Sequence, residues 1–338
     1  MRKVGAPKPR SSEAALAADE PHDPAIRLLL GDDARAPEPE KAVECLVEAV
    51  RAGSGAAAAR LAVLAGLGLG RRQGWSDCLD LLETSATLGH RPAQRQLAVL
   101  TADPELAARI RSSGVAGAAV WRRAREGVDI AAWTRSPPAQ AASISPRIDV
   151  IERFLPIEAC RWLIHRGGAG QETAMINDPA TGVARPDPMR TNTVTRLGIA
   201  STDVVMLLVQ ARISSVTGFP VPHMEAPNVL SYAPGQEFRP HYDFFNPASA
   251  QFAAEIESFG QRVATFLVYL SEEFSGGETD FPRARQRYRG RAGDALVFMN
   301  VRPDGSPDME SLHAGLPPTR GRKWLLSQWV RNRPQAVS

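Results

Sequence analysis

The sequence predicts an α+β protein of more than one domain, with a helical region first and a β-rich domain with flanking helices after it. Its 338 residues exceed the length of one typical domain. Apolar residues recur at helical spacing up to about residue 135. Beyond about residue 148, short apolar segments alternate with turn-forming residues, as is typical of β-strands.

Residues 1–37 are rich in alanine, proline and charge and contain little periodic apolar sequence. We expect them to be disordered, apart from a short helix around Ala25–Leu30. The chain begins with basic residues but develops no apolar segment there, so neither a signal peptide nor a membrane anchor is expected.

Residues 38–135 are predicted to form a domain of helical repeats. The segment AGSGAAAARLAVL (52–64) aligns with LGHRPAQRQLAVL (88–100) at an offset of about 36 residues, the scale of helical solenoid repeats. The alignment matches Gly53 with Gly89 and Leu61 with Leu97. We interpret the region as tetratricopeptide-like or Sel-like, with a third, degenerate unit within 104–133. The alternative is an ordinary alanine-rich helical domain whose similarity is compositional.

Residues 136–147 are polar and contain prolines, and they are predicted to be a linker to a second domain over 148–338. In that domain we expect helices at 156–166 and 202–216. The strand candidates are Ile148–Arg153, Arg190–Leu197, Asn228–Tyr232, Arg262–Leu270, Glu278–Phe281, Ala295–Met299 and Lys323–Arg331. Many short strands with turn signals between them suit a jelly roll.

The stretch YAPGQEFRPHYD (232–243) carries the first candidate site. His241 and Asp243 are two residues apart, so on an extended strand both side chains point to one face. His313, on a later strand, is the candidate third ligand. Two imidazoles and one carboxylate on one side of a metal leave the opposite positions open, which is the facial arrangement of non-haem Fe(II) oxygenases.

A second stretch, HAGLPPTRGRK (313–323), ends on a lysine at the start of a predicted strand. A fixed cation near an iron site suits a dicarboxylate co-substrate, because one end of the co-substrate chelates the metal and the distal carboxylate needs a charged partner. From the pattern alone, Lys323 could equally face solvent.

The region from about 148 to 333 resembles bacterial and plant prolyl 4-hydroxylases, within the Fe(II)/2-oxoglutarate dioxygenases. The matching stretches run in one order over slightly more than half the chain: VIERFLPIEAC (150–160), VLSYAPGQEFRPHYDFFNP (229–247), GQRVATFLVYLSEEFSGGETDFP (260–282), GDALVFMNVRPDGSPDMESLHAG (293–315) and GRKWLLSQWVR (321–331).

This resemblance implies a double-stranded β-helix with Fe(II) on His241, Asp243 and His313. It also implies 2-oxoglutarate on Lys323, with help from Tyr232 and Thr265, and ascorbate as reductant. Arg190 matches a position near the peptide groove, and Trp329 lies near the site by analogy. The resemblance covers nothing before about residue 148.

The resemblance therefore favours oxidative decarboxylation of 2-oxoglutarate to succinate and CO2 with O2, coupled to hydroxylation of a prolyl residue in a peptide or protein. One alternative is hydroxylation of another side chain or of a free amino acid, because loops rather than the metal site select the substrate. Another is a non-catalytic interaction module on an oxygenase scaffold. The segments 178–188 and 246–259 are expected to form loops that close over the site.

Composition excludes several partners. The net charge is only +3 and the basic residues are scattered, so nucleic acid is not expected, nor is a membrane. The three cysteines have no metal-type spacing and lie among apolar residues, which favours buried thiols in a reducing compartment such as the cytoplasm. We expect the helical region to recruit a peptide or protein substrate, although it could instead mediate dimerisation or stabilise the catalytic domain.

Overall fold

The computed structural model describes residues 24–31, 36–113, 117–173, 175–177, 184–186 and 189–335. Its helices are α1 Pro24–Leu30, α2 Pro39–Arg51, α3 Gly55–Leu67, α4 Trp75–Thr87, α5 Arg91–Leu100, α6 Pro104–Ser113, α7 Ala118–Glu126, α8 Ile130–Thr134, α9 Ile157–Gly168, α10 Val204–Thr217 and α11 Ala250–Phe259. Its strands are β1 Gln140–Ile144, β2 Arg147–Ile151, β3 Glu172–Thr173, β4 Met175–Asn177, β5 Ala184–Pro186, β6 Thr193–Arg196, β7 Asn228–Tyr232, β8 Phe238–His241, β9 Arg262–Tyr269, β10 Phe274–Gly276, β11 Thr279–Phe281, β12 Gln286–Tyr288, β13 Ala295–Met299, β14 His313–Gly315, β15 Pro318–Gly321 and β16 Lys323–Arg331.

The β-rich domain is built on two antiparallel sheets. Within the described residues, the larger sheet has the order β1-β2-β13-β9-β16-β7-β6-β3 and the smaller has the order β12-β11-β14-β8. The two sheets face one another across a shared core, in which Phe281 of the smaller sheet packs with Leu267 and Phe298 of the larger. This arrangement is consistent with the predicted jelly roll.

Strand positions in the larger sheet follow the apolar pattern closely. The predicted strands Asn228–Tyr232, Ala295–Met299 and Lys323–Arg331 coincide with β7, β13 and β16. In β9, every residue after Arg262 is buried, which explains its unbroken apolar run. The larger sheet is therefore covered on both faces, by the smaller sheet on one and by helices on the other.

The helical region contains two consecutive helical hairpins, α2–α3 and α4–α5. Gly53 and Gly89, which the sequence alignment matches, lie in the two hairpin turns with φ of 91° and 86°. A side chain would strain the backbone at such angles, so both turns require glycine. The helices α6, α7 and α8 follow over the segment predicted to hold a third unit. The class of repeat remains a prediction.

The short helix expected around Ala25–Leu30 within residues 1–37 is confirmed, and it begins one residue earlier, at Pro24. This segment forms α1, whose Ala25, Ile26 and Leu29 are buried against apolar residues of α2 and α3. Burial of these side chains offsets the entropy of ordering a short helix. Residues 1–23 and 32–35 lie outside the described part of the chain.

The segment 136–147, predicted to be a linker, differs from that prediction over Gln140–Ile144. Gln140–Ile144 forms β1, which pairs antiparallel with β2 at the edge of the larger sheet. The segment looks like a linker because its side chains are small, polar and mostly exposed. Its backbone hydrogen bonds nevertheless attach it to the oxygenase-like domain, so the boundary lies before β1.

Helix α10 lies between the helical region and the larger sheet. Its residues from Val204 to Gln210 are all buried, as expected for a helix covered on several sides. The Arg60 guanidinium of α3 donates hydrogen bonds to the carbonyl oxygens of Ile199 and Ala200, just before α10. Side chains of both regions form one continuous apolar core, so the two regions are packed together rather than tethered.

The predicted loops are only partly loops. Ala250–Phe259 of the segment 246–259 is helix α11, and Ala184–Pro186 of the segment 178–188 is β5, paired with β4. Residues 178–183 and 187–188 lie outside the described residues. Across the described chain, no helix combines the length and apolar character needed to cross a membrane.

Candidate metal centre

The predicted ligands come together between the two sheets. His241 at the end of β8 and His313 at the start of β14 are directly paired across the smaller sheet, and their ring centroids are 4.3 Å apart. The Asp243 Oδ1 atom lies 3.6 Å from His241 Nε2, and Asp243 Oδ2 lies 3.5 Å from His313 Nε2. One ligand atom from each side chain thus falls within 4.8 Å of the others, a spacing that one metal ion can bridge.

Backbone carbonyl groups orient both imidazoles. His241 Nδ1 lies 2.7 Å from the carbonyl oxygen of Arg239, and His313 Nδ1 lies 3.0 Å from that of Ser311. A carbonyl oxygen only accepts, so each Nδ1 carries the proton and donates it. The lone pair is then on Nε2, which faces Asp243 in both rings, and this is the tautomer that metal ligation needs.

Asp243 is held from the larger sheet. The Thr265 hydroxyl of β9 donates a hydrogen bond of 2.6 Å to Asp243 Oδ2, and Asn300 Nδ2 donates to the Thr265 hydroxyl at 3.0 Å. These side chains are all buried. Thr265 thus hydrogen-bonds to the Asp243 carboxylate and connects the two sheets at the metal end of the core. Its predicted contact with 2-oxoglutarate stays a prediction.

The electrostatics of the triad favour a neutral imidazole beside an ionised carboxylate. Burial alone raises the pKa of Asp243, but His313, His241 and the Thr265 hydroxyl together hold that pKa well below its usual range. Burial, and then the neighbouring His241, lower the pKa of His313 to about 4. Deprotonated ligands at neutral pH are what a divalent cation requires.

Aromatic rings surround the imidazoles. Phe238 stacks on His241 with ring centroids 3.5 Å apart, and Phe298 packs against His313 at 4.6 Å. The side chain of His241 is 17% exposed whereas that of His313 is 7% exposed, so the centre opens on the His241 side. The rings exclude water from the other sides of the centre.

Lys323 lies deeper in the same core. It is directly paired with Tyr232 across β16 and β7, and its Nζ atom lies 5.1 Å from the Tyr232 ring and 5.5 Å from the Tyr269 ring. Lys323 is fully buried, and its Nζ has no hydrogen-bond partner among the described residues. Burial lowers the pKa of Lys323 to about 7, with Glu278 acting in the opposite direction. Burial also raises the pKa of Tyr232 to about 12, so its phenol stays protonated.

The two predicted substrate residues lie on opposite sides of the centre. Trp329 of β16 is paired with Thr265, so it lies on the same face of the larger sheet, and the Arg262 guanidinium stacks 3.6 Å from its ring. Arg190 bridges to Phe238 and places its guanidinium 4.8 Å from that ring, which in turn stacks on His241. Arg190 is thus separated from the predicted ligand His241 by the Phe238 ring, and Trp329 is the direct cross-strand neighbour of Thr265.

Some supporting groups have no local signature in the sequence. Asn300 is fully buried and positions the Thr265 hydroxyl, and Phe298 packs on His313. Both lie in GDALVFMN (293–300), which is part of a stretch that resembles prolyl 4-hydroxylases. The carbonyl groups of Arg239 and Ser311 are backbone atoms, which side-chain patterns do not reveal.

Comparisons with known proteins agree on the β-rich domain. The family model of the 2OG-Fe(II) oxygenase superfamily matches residues 227–331. Prolyl 4-hydroxylase 5 of Arabidopsis thaliana is 36% identical over 209 residues, which cover 56% of this chain and 70% of the relative. Probable prolyl 4-hydroxylase 10 of the same plant is 34% identical over 208 residues, with the same two coverages. A solved viral collagen prolyl hydroxylase from Paramecium Bursaria Chlorella virus-1, in complex with 2OG, is 27% identical; the match covers 54% of this chain and 95% of the viral one, with a TM-score of 0.41.

Proposed function

Because this chain belongs to the 2OG-Fe(II) oxygenases and is a 2-oxoglutarate-dependent dioxygenase of the prolyl 4-hydroxylase kind, we propose that it hydroxylates a prolyl residue in a peptide or protein. The observation that carries the proposal is that one core holds both a three-ligand centre and a buried lysine, Lys323, whose Nζ has no hydrogen-bond partner among the described residues. Iron and 2-oxoglutarate each need one of these two features.

The donor set fits Fe(II). His241, His313 and Asp243 present two imidazole nitrogens and a carboxylate to a common point, and imidazole with carboxylate ligands and open positions suits non-haem iron. The Nδ1 hydrogen bonds and the Thr265 hydroxyl orient the three groups without occupying the ligand atoms Nε2 and Oδ1. We assign Thr265 a positioning role on Asp243.

The core also fits a dicarboxylate. A fully buried ammonium group without a partner is costly, and a carboxylate arriving in the same core removes that cost. Lys323 would bind the distal carboxylate of 2-oxoglutarate, and the protonated Tyr232 hydroxyl, on the neighbouring strand, would donate to it. The phenol must remain protonated for this, which its raised pKa ensures.

With iron and 2-oxoglutarate bound, the centre would supply the oxidation of an unactivated C–H bond by O2, coupled to decarboxylation of 2-oxoglutarate to succinate and CO2. The protein's own residues keep Asp243 ionised and His313 neutral, fix the direction of the three ligands and keep the site dry. Phe238 and Phe298 cover the imidazoles, so the substrate approaches from the partly exposed His241 side. We include ascorbate as the reductant in this proposal.

Arg190 and Trp329 support binding of a peptide near the opening. Arg190 covers Phe238 on the His241 side, and its Nε atom is buried without a partner among the described residues. The Trp329 indole N–H likewise lacks a partner within the described part of the chain. A peptide offers carbonyl oxygens that both groups could bind, which favours a peptide over a free amino acid.

We also propose that the helical region helps to recruit a protein substrate. A cleft of about 960 Å³ lies between the two regions, lined by Leu69 and Trp75 on one side and by Phe245 and Arg262 on the other. Arg262 stacks on Trp329, so this cleft reaches the neighbourhood of the metal ligands. Its volume is sufficient for several side chains of an extended segment.

The cysteines support a reducing, cytoplasmic setting for this activity. Cys45, Cys78 and Cys160 are all free thiols, and the last two are fully buried. Burial raises the pKa of Cys78 and of Cys160 to about 12, so these two thiols are unreactive.

The direct test of the hydroxylase is mass spectrometry of proline-containing peptides from a lysate incubated with enzyme, Fe(II), ascorbate and 2-oxoglutarate. We expect peptides that gain one oxygen atom on proline, and none with the His241→Ala variant. Oxygen found only on other residues or on free amino acids would favour the alternative substrate class. Consumption of 2-oxoglutarate without any oxygenated product would contradict the peptide substrate.

The recruiting role is tested by a matched pair of substitutions in the full-length chain. Leu69→Asp places a charge in the cleft, whereas Leu88→Asp places one at an exposed leucine outside it. We expect only Leu69→Asp to raise the KM for a protein substrate, by roughly tenfold, with unchanged turnover of 2-oxoglutarate in the absence of that substrate. Equal KM values in both variants, or a lower Tm and kcat with an unchanged KM, would instead indicate a stabilising role.

A further inference from the structure

A second concave surface lies away from the metal centre, where α5 and α6 of the helical region meet α9 of the oxygenase domain. We call it the α5–α9 groove. Its volume is about 330 Å³, and its lining comes from these three helices alone. None of the residues implicated in iron, 2-oxoglutarate or peptide binding belongs to it.

The rim of the α5–α9 groove is strongly basic. Its lining includes four arginines and one histidine but a single carboxylate, Glu158. Arg161 faces Glu158 at 4.0 Å, so that carboxylate is already engaged. Arg91, Arg95 and Arg111 are exposed, and none of their guanidinium groups forms a hydrogen bond or an ion pair within the described residues. The groove therefore has an excess of positive charge that the chain does not neutralise.

The pKa of His165, which also lines the groove, is lowered by its surroundings. Partial burial is the first cause that lowers its pKa, and the nearby guanidinium groups of Arg95 and Arg166 lower it further. The imidazole is therefore neutral at physiological pH and does not add to the charge. A negatively charged ligand in the groove would interact with the arginines first.

The floor of the groove is apolar. Ala98 and Ile110 are buried, and the Trp162 side chain is only 7% exposed. The Trp162 indole N–H donates to Asp203 at 2.9 Å, so its polar atom is not available to a ligand. An apolar floor surrounded by arginines is complementary to a ligand that has an apolar side chain between two carboxylates.

We propose that the α5–α9 groove binds an acidic peptide segment in which carboxylate side chains flank an apolar one. Guanidinium groups pair with carboxylates in a bidentate manner, and the volume suits one or two side chains. Among the described residues that line the groove, Trp162 is buried and the small imidazole of His165 is the one exposed ring, so the groove offers little aromatic surface for stacking bases, which disfavours single-stranded nucleic acid. This inference rests on the proposed function: if the protein hydroxylates a protein substrate, the acidic segment is part of that substrate.

The test measures binding to the full-length protein by fluorescence anisotropy, without iron or 2-oxoglutarate. The probe is a fluorescein-labelled peptide in which glutamates flank a central leucine, and its lysine counterpart is the negative control. We expect the glutamate probe alone to bind, and its affinity to fall as salt is added. Because the binding measurement does not require catalysis, absence of probe binding can be distinguished from absence of hydroxylase activity.

Arg95→Glu is the critical variant, and Arg72→Glu is its control, an exposed arginine that does not line the groove. Arg95→Glu should weaken probe binding by about tenfold, with Arg95→Lys intermediate and Arg72→Glu unchanged. Absence of binding would overturn the proposal, as would equal losses in the two glutamate variants. A single-stranded DNA oligonucleotide that binds more tightly than the probe, and is sensitive to Arg95→Glu, would also overturn it.

Discussion

The core between the two sheets holds the metal ligands at one end and Lys323 at the other. The two ends differ in how completely their polar groups are hydrogen-bonded. At the metal end, both Nδ1 atoms donate to carbonyl groups and Asp243 accepts from Thr265. At the other end, Lys323 is fully buried and its Nζ has no hydrogen-bond partner in the described chain. The metal end is thus preorganised before a ligand arrives, whereas the lysine end is completed only by a negatively charged ligand.

The difference should be largest when Lys323 is replaced by methionine, which keeps the length but removes the charge. The variant should need roughly 10- to 100-fold more 2-oxoglutarate for half-maximal turnover, because one buried charge-assisted hydrogen bond is lost. Steady-state kinetics over a wide range of 2-oxoglutarate concentrations, with a spectroscopic iron titration, would measure this.

A matched variant at the metal end should behave differently. His313→Ala should abolish turnover at every 2-oxoglutarate concentration, since it removes a ligand rather than a charge partner.

Without 2-oxoglutarate, Lys323→Met should stabilise the protein by about 1–3 kcal/mol, because an unpaired buried ammonium is removed. An unchanged 2-oxoglutarate requirement in Lys323→Met would assign the carboxylate to another cation, for example Arg322.

Thr265→Val separates a contact to Asp243 from a contact to 2-oxoglutarate. The hydroxyl donates to Asp243 and accepts from Asn300, so its loss should weaken iron binding by about tenfold through a poorly oriented carboxylate. The 2-oxoglutarate requirement at saturating iron should stay nearly the same. Metal titration would measure the affinity for iron, and kinetics on the same preparation would measure the 2-oxoglutarate requirement. A raised 2-oxoglutarate requirement with unchanged iron affinity would indicate that Thr265 contacts the co-substrate.

Sequence reasoning succeeded where the local pattern dominates. Ala295–Met299 is a continuous apolar run and Lys323–Arg331 is rich in large apolar residues, and both strands were predicted with the bounds that the structure has. The HxD motif, the later histidine and the family resemblance together predicted the cluster that the fold brings together. The short strands β8 and β14 were expected at His241 and His313 but without bounds, because FRPH and HAG contain proline or glycine and are too brief to show a period.

The remaining differences come from tertiary contacts. Nothing in SPPAQAASIS reveals that its second half pairs with β2, since the partner strand supplies the hydrogen bonds. Likewise, Arg60 and Gln96 contact the start of α10 from more than a hundred residues away. These contacts attach the helical region to the oxygenase domain, and a fragment that begins after β1 would expose α10. Point substitutions in the full chain are therefore the better tests.

A further prediction concerns the pH dependence of the lysine end in the protein without 2-oxoglutarate. Burial lowers the pKa of Lys323 to about 7, against an unfolded value near 10.5. Between these values the unfolded chain holds the proton and the folded chain does not, so this group makes stability rise with pH from about 7 to 10.5. Below pH 7 both states are protonated, and the contribution no longer changes.

Binding of 2-oxoglutarate should show the opposite trend, because the distal carboxylate needs the protonated amine. With a pKa of about 7 in the unliganded protein, the protonated fraction, and with it the apparent affinity, should fall roughly fivefold from pH 7 to pH 8. The charged and titratable groups near Lys323 are Glu278, Tyr232 and Tyr269, and burial keeps both phenols protonated over this range. Calorimetric titration of the metal-loaded enzyme under anaerobic conditions would measure the trend, and Lys323→Met should lack it. An affinity that is flat across this range in the native chain would mean that Lys323 keeps its proton and that a further carboxylate lies beside it.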